Sequence, residues 1–137
     1  MGVRNLIFAA TLLVSVVCAS VKDREEQKNA LLNAWLHYEL SEHERPFYIS
    51  ISRDDQVTCI KQGNSPDQED KKIGSGRVDW SGSSITIHDL KCATLPKQLT
   101  CQFVEGRSFD GLGQMIGLDC VSDLKTKTKY RFRQYSK

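Results

Sequence analysis

The sequence predicts an α+β protein that is mainly β, in which one N-terminal amphipathic helix precedes about seven short antiparallel strands. Apolar residues first recur at three-to-four spacing and then, from Phe47 onward, at a spacing of two. These are the periods of a helix and of strands with one buried face. The strand patterns recur at roughly ten-residue intervals between turn residues, which is typical of a β-sandwich or a small barrel. We therefore expect a single β-rich domain.

The first 19 residues have the pattern of a secretory signal peptide. A short basic start precedes an apolar run from Leu6 to Val17, which ends in the small residues around Ala19. The run is too short to span about 30 Å of hydrocarbon as a helix. We expect cleavage after Ala19, which leaves residues 20–137 as one secreted, extracellular domain without a transmembrane anchor.

The cysteines indicate two disulfide bonds. Cleavage removes Cys18 and leaves an even number, which behind a signal peptide is typical of disulfides formed in an oxidising compartment. The four remaining residues are Cys59, Cys92, Cys101 and Cys120. Three pairings are possible, and the turn at Pro96 favours Cys92–Cys101, with Cys59–Cys120 as the second bond. No C-x-x-C pair or suitably spaced histidine suggests a metal site, so we expect neither metal nor cofactor.

The only helix predicted for the secreted chain begins near Asp23, whose side chain can cap it. Its apolar face is formed by Leu31, Leu32, Trp35, Leu36 and Leu40. Pro46 disfavours helical geometry at the residue before it, so the helix is predicted to end near Glu42. Because Trp35 lies on the apolar face, it is predicted to be a core residue.

The remaining elements are strands. They are predicted at Phe47–Ser52, Gln56–Ile60, Gly76–Trp80, Ser84–His88, Leu99–Val104, Met115–Val121 and Lys125–Tyr135. In the first of these, Phe47, Ile49 and Ile51 share one face. Polar or glycine-rich composition predicts loops over Gly63–Lys72 and Glu105–Gly113. Trp80, at a strand end, is either a core residue or an exposed contact.

The last strand carries the most ordered pattern in the chain. Between Lys125 and Lys137 the six cations all occupy odd positions, whereas Tyr130 and Phe132 occupy even positions and are predicted to face the core. Cations on one face recur every ~6.7 Å, close to the interval between phosphates or sulfates on an extended polyanion. The candidate binding residues are Lys127, Lys129, Arg131, Arg133 and Tyr135. Alternatively, these cations only protect a sheet edge, or acids elsewhere in the chain neutralise them.

Enzymatic activity is the less favoured interpretation. No nucleophile elbow or phosphate-binding loop is present. His37, His43 and His88, together with the basic strand, contain the residue types of a small secreted ribonuclease, which needs an acid, a base and a phosphate-binding cation. Nothing in their spacing requires them to converge, so no catalytic residue is assigned.

The helix, the following strands, the leader and the four cysteines are similar in arrangement to cystatin-type secreted inhibitors. This resemblance implies protease inhibition as a further alternative. The Gln-x-Val-x-Gly segment of that family is missing, because the turn after Ile51 consists of Arg53-Asp54-Asp55. No inhibitory residue is therefore assigned.

The sequence thus predicts a secreted, non-catalytic binding protein of the effector, toxin or salivary-factor type. Its basic C-terminal strand is expected to contact an anionic partner. That partner is an extracellular or host protein, or a polyanion such as a glycan or a nucleic acid. The protein itself is expected to be a monomer.

Overall fold

A computed structural model describes residues 23–41, 43–108, 111–122 and 128–136. The chain divides into two units, Met1–Ala30 and Leu31–Lys137. A helix, α1, covers residues 23–31. The predicted signal peptide lies outside the described residues. Within them, no helix is long and apolar enough to cross a membrane.

The second unit is a closed barrel in which each of eight strands pairs antiparallel with the next along the chain. The last strand pairs with the first, which closes the barrel. Of the two predicted architectures, the barrel is therefore the one observed. The strands are β1 (Leu36–Glu39), β2 (Tyr48–Ile51), β3 (Gln56–Lys61), β4 (Lys71–Asp79), β5 (Ile85–Cys92), β6 (Leu99–Arg107), β7 (Gln114–Val121) and β8 (Lys129–Ser136).

The additional strand is β1, which occupies residues that were predicted to be helical. The helix ends at residue 31, not near Glu42, so that prediction was wrong. Asn33 has a φ of 62°, a left-handed conformation that interrupts a helix. Leu36 and Tyr38 are buried and alternate with His37 and Glu39 on the outer face. Leu36 also fits a helical period, because it lies four residues after Leu32 and four before Leu40.

The interior of the barrel is filled by side chains. A barrel of eight strands is just wide enough for this, or for one small ligand. Many of the inward-facing side chains are almost completely buried. Those at 0–1% exposure include Leu36, Ile49, Ile51, Val57, Ile85, Ile87, Leu99, Leu118 and Phe132. The predicted inward face of β2 is thereby confirmed.

Both disulfides form within the barrel, but the favoured pairing was wrong. Cys59–Cys92 joins β3 to β5 across β4, and Cys101–Cys120 joins directly opposed residues of β6 and β7. Gly74 of β4 lies between the first pair. A Cβ atom there would collide with the backbone of Lys91 and Cys92, so glycine allows β5 to lie this close to β4. Cys92 cannot pair with Cys101, because Cys101 lies opposite Ile85, at the other end of β5.

Strand β6 is longer than predicted. It continues to Arg107 and therefore includes Glu105–Arg107, which were predicted to be part of a loop. Strand β4 likewise begins at Lys71, within the segment predicted as a loop. Trp80 is partly buried against the core, and its Nε1 donates a hydrogen bond to Asp55 at 2.8 Å.

Candidate functional site

The outer face of β8 carries the predicted binding residues. The alternation is confirmed: Phe132 is fully buried and Tyr130 packs against the core, whereas Lys129 and Arg131 are exposed on the other face. Lys127 lies outside the described residues. The predicted binding residues differ in their surroundings: some are bonded to other parts of the protein, and others face solvent.

Arg133 is engaged within the protein. The residue is 8% exposed, and its side chain lies across β7 at Gly117, its cross-strand neighbour. Nη1 donates to the carbonyl oxygens of Leu118 (3.2 Å) and Phe132 (3.1 Å), and Nη2 forms an ion pair with Asp119 at 2.5 Å. A Cβ at Gly117 would come within 3.0 Å of Nη1, so glycine leaves the space that the guanidinium uses. We conclude that the charge of Arg133 stabilises the barrel wall.

Tyr135 is also engaged. Its hydroxyl donates a hydrogen bond to Glu39 Oε2 at 3.0 Å, and the Arg45 guanidinium lies 4.9 Å from its ring centroid. Arg45 reaches the same carboxylate oxygen at 3.5 Å. Burial, and then the bond to Glu39, raise the pKa of Tyr135. Arg45 thus covers one face of the Tyr135 ring, which was predicted to be a binding residue.

Arg131 lies between two carboxylates. Its cross-strand neighbours are Glu39 on β1 and Asp119 on β7. Each of these acids already has a cationic partner, so the two carboxylates compensate the charge of Arg131 only in part. The side chain of Arg131 is exposed. Among the predicted cations in the described part of β8, Lys129 and Arg131 are the ones left facing solvent.

The structure adds a residue that the sequence placed in the core. Trp35 is 52% exposed, so its prediction as a core residue was wrong. One face of its indole stacks on Tyr48, with ring centroids 5.2 Å apart and an interplanar angle of 21°. Its backbone N–H donates to Gln134 Oε1 at 2.7 Å, which ties it to β8.

Tyr48, which supports the indole, is itself held by burial and by a hydrogen bond. It is 3% exposed, and its hydroxyl donates to Asp70 Oδ2 at 2.9 Å. Burial and the bond to Asp70 raise the pKa of Tyr48 to about 12. Asp70 also accepts from the backbone of Gly63, so the same carboxylate holds the β3–β4 connection.

These residues surround a hollow of about 290 Å³ on the outside of the barrel, where β1 meets β8. We call it the Trp35 hollow; it is lined by Trp35, His37, Arg45, Gln134 and Tyr135. Burial and the nearby Arg45 both lower the pKa of His37, which favours the neutral form of the imidazole. The hollow therefore offers an exposed aromatic face, one cation and several neutral polar groups.

A second, larger cavity of about 650 Å³ lies along the β6–β7 hairpin. Leu112 in this hairpin is 85% exposed. The cavity is lined by Glu105, Gly106, Arg107, Gly111, Leu112, Gly113, Gln114, Met115 and Ile116. It lacks the stacked aromatic support of the Trp35 hollow.

The histidines considered for a ribonuclease site are not brought together. His37 lies on β1 and His88 on β5, which are four strands apart in either direction around the closed barrel. Proton transfer requires hydrogen-bond reach or one bridging water. His43 is exposed in the β1–β2 connection. In the described part of the chain, no three His, Cys, Asp or Glu side chains are arranged to hold a metal ion.

Comparison with known proteins adds no relative. No protein-family model matches the chain. No curated protein and no solved structure matches it at a significant level. The function must therefore be inferred from the chemistry of the surface.

Proposed function

We propose that this is a secreted, non-catalytic binding protein that recognises an acidic glycan in the Trp35 hollow. The observation that carries this proposal is the half-exposed indole of Trp35, which is supported from behind by the buried Tyr48 and lies in a hollow with Arg45. Secretion is supported by the leader pattern of residues 1–19 and is compatible with the two disulfides.

The aromatic face favours a ring-shaped ligand. An indole offers a large, rigid, apolar surface whose ordering costs little side-chain entropy. The C–H face of a sugar ring is apolar and fits such a surface, while its hydroxyl groups suit the polar groups of His37 and Gln134. A hollow of about 290 Å³ accommodates roughly one such ring.

The cations favour an acidic ligand. A guanidinium binds a carboxylate or sulfate through charge-assisted hydrogen bonds, which are stronger than neutral ones. Arg45 supplies this group at the hollow, and Arg131 and Lys129 continue outward along the same face of β8. The carboxylate of Glu39 opposes them only in part, because it is 9% exposed and already bonded to Arg45 and Tyr135.

Binding is tested by titrating the protein with sulfated uronic-acid oligosaccharides. A neutral oligosaccharide of the same length and an RNA oligonucleotide are titrated in parallel. We expect the acidic glycan to bind, to change the fluorescence of Trp35 and to weaken as salt is raised. Trp35→Ala and Arg45→Gln should each weaken binding by about tenfold or more, which corresponds to about 1.4 kcal/mol.

Lys91→Gln is the matched control, because Lys91 is an exposed cation on β5, on the opposite side of the barrel. It should leave the affinity unchanged. Full affinity in Trp35→Ala, or binding to none of the anionic probes, would show that the hollow is not the site. Preferential binding of RNA would show that the ligand is a nucleic acid and not a glycan.

A further inference from the structure

The second half of β6 has an unpaired edge. Strand β5 pairs with β6 only from Ile87 opposite Leu99 to Ile85 opposite Cys101, whereas β6 continues to Arg107. Over this extension β6 is paired on its other side with β7, up to Arg107 opposite Gln114. The extension ends in three exposed residues, Glu105–Arg107.

The direction of the backbone groups follows from the ladder. Cys101 and Cys120 are directly opposed with their Cα atoms 4.0 Å apart, the close spacing of a pair that is not hydrogen-bonded. Such pairs alternate with hydrogen-bonded ones, so Glu105 and Arg107, like Cys101, direct their N–H and C=O groups away from β7. The bond from Ser108 N to Gly113 O agrees with this alternation.

Within the described residues, no backbone hydrogen bond reaches Glu105 or Arg107 from the open side. A row of unpaired backbone groups on a strand edge is a template for a further strand. The side chains on this edge decide which strand fits.

We propose that this edge joins two copies of the chain. The two β6 strands pair antiparallel about Gly106, which places Glu105 of each copy directly opposite Arg107 of the other. Both residues present their backbone groups to the partner, so each of these two pairs exchanges both N–H···O bonds. The same two-fold operation places Gly106 opposite Gly106, where no side chain hinders the approach.

The charges select this register. Opposite charges that face each other across a ladder stabilise it, and like charges destabilise it. The neighbouring symmetric registers, which centre on Glu105 or on Arg107, place two glutamates or two arginines face to face. A second copy paired about Gly106 therefore fits the edge better than one paired about Glu105 or about Arg107.

The proposed dimer leaves the Trp35 hollow open, because that hollow lies where β1 meets β8, two strands away from β6. The pairing is short, so we expect a dimer whose population depends on concentration and salt. The inference does not rest on the proposed glycan binding, since it concerns a different edge of the sheet.

Sedimentation of the oxidised protein over a concentration series tests the proposal. The parent should approach twice the monomer mass as concentration rises. Glu105→Arg should be monomeric, because it places two arginines opposite each other, and Arg107→Glu should be monomeric for the converse reason. Each variant should fold normally, since both side chains are exposed.

The decisive control is a mixture. Equal amounts of Glu105→Arg and Arg107→Glu should form a heterodimer, because every pair across the edge is again of opposite charge. The double variant with both charges exchanged should regain homodimerisation. A parent that remains monomeric up to about 1 mM overturns the proposal. Dimerisation of Glu105→Arg alone would overturn it as well.

Discussion

Replacing Arg133 with Gln separates a structural cation from a ligand-binding one. Arg133 and Arg131 occupy the same face of β8, two residues apart, and the sequence pattern does not distinguish them. In the structure Arg133 is buried against β7, whereas Arg131 is exposed. We expect Arg133→Gln to lower stability and Arg131→Gln to lower the affinity for an anionic ligand.

The magnitude follows from the contacts that are lost. Arg133 bonds to two carbonyl oxygens and to the carboxylate of Asp119. Hydrogen bonds that involve a charged group contribute about 1.5–3 kcal/mol to stability. The side chain of Asp119 is 39% exposed, so water can replace part of the lost ion pair. We therefore expect a loss of about 2 kcal/mol, which for a domain of this size lowers Tm by roughly 8 °C.

Thermal unfolding followed by circular dichroism measures this loss. Arg131→Gln is the matched control and should stay within about 0.5 kcal/mol of the parent, as is usual for an exposed surface substitution. Asp119→Asn should reproduce part of the loss, and the double variant should lose less than the sum of the two single variants. An unchanged Tm in Arg133→Gln, combined with weakened glycan binding, would refute the assignment and make Arg133 a ligand contact.

Three further predictions concern the covalent and titrating groups. Proteolysis without reduction, followed by mass spectrometry, should recover linked peptides for Cys59–Cys92 and Cys101–Cys120. Replacing both cysteines of the first bond by Ala should lower the free energy of unfolding by about 4 kcal/mol, because in the chain-entropy model the bond closes a loop with a sequence separation of 33. Tyr48→Phe should lower the free energy of unfolding in urea by about 1–2 kcal/mol, because it removes the hydrogen bond to Asp70. The pKa of His37 is lowered in the folded state, so the unfolded chain binds the proton first as pH falls. The contribution of His37 to the free energy of unfolding should be complete above pH 6.5, the ordinary pKa of histidine, and should decrease below it. His37→Gln should therefore make the unfolding curves at pH 7 and pH 5 differ less. Linked Cys92–Cys101 peptides, unchanged unfolding of Tyr48→Phe or an unaltered pH dependence in His37→Gln would each contradict the corresponding assignment.

The strands could be predicted from the sequence where only one of their faces is buried. When one face of a strand is buried, its apolar residues recur at every second position, which is why the inward residues of β2 and β8 were identified correctly. Residues 32–40 were misassigned because Leu32, Leu36 and Leu40 recur at a helical spacing of four. Leu36 and Tyr38 also alternate with polar residues, as on a strand. The decisive feature there is the left-handed backbone of Asn33, which the apolar pattern does not reveal.

The Trp35 hollow could not be predicted because barrel closure assembles it from distant parts of the chain. Trp35 and Gln134 are 99 residues apart, and Glu39 and Tyr135 are 96 apart. The role of Arg133 likewise depends on Gly117 of the neighbouring strand, a relation set by register. Alternation along one strand predicts which residues share a face, but contacts across strands decide which of them remain free to bind.

The position of the hollow also links ligand binding to the stability of the barrel. Strand β1 has only four residues, and it is paired with β8 at His37, Tyr38 and Glu39. Residues from both sides of this junction line the hollow, so the proposed binding surface exists only while the barrel is closed. A ligand that binds the folded but not the unfolded chain stabilises it by about 2.7 kcal/mol at a hundred times its Kd. The glycan would thus stabilise the junction between the first strand and the last by non-covalent contacts. Neither disulfide crosses this junction.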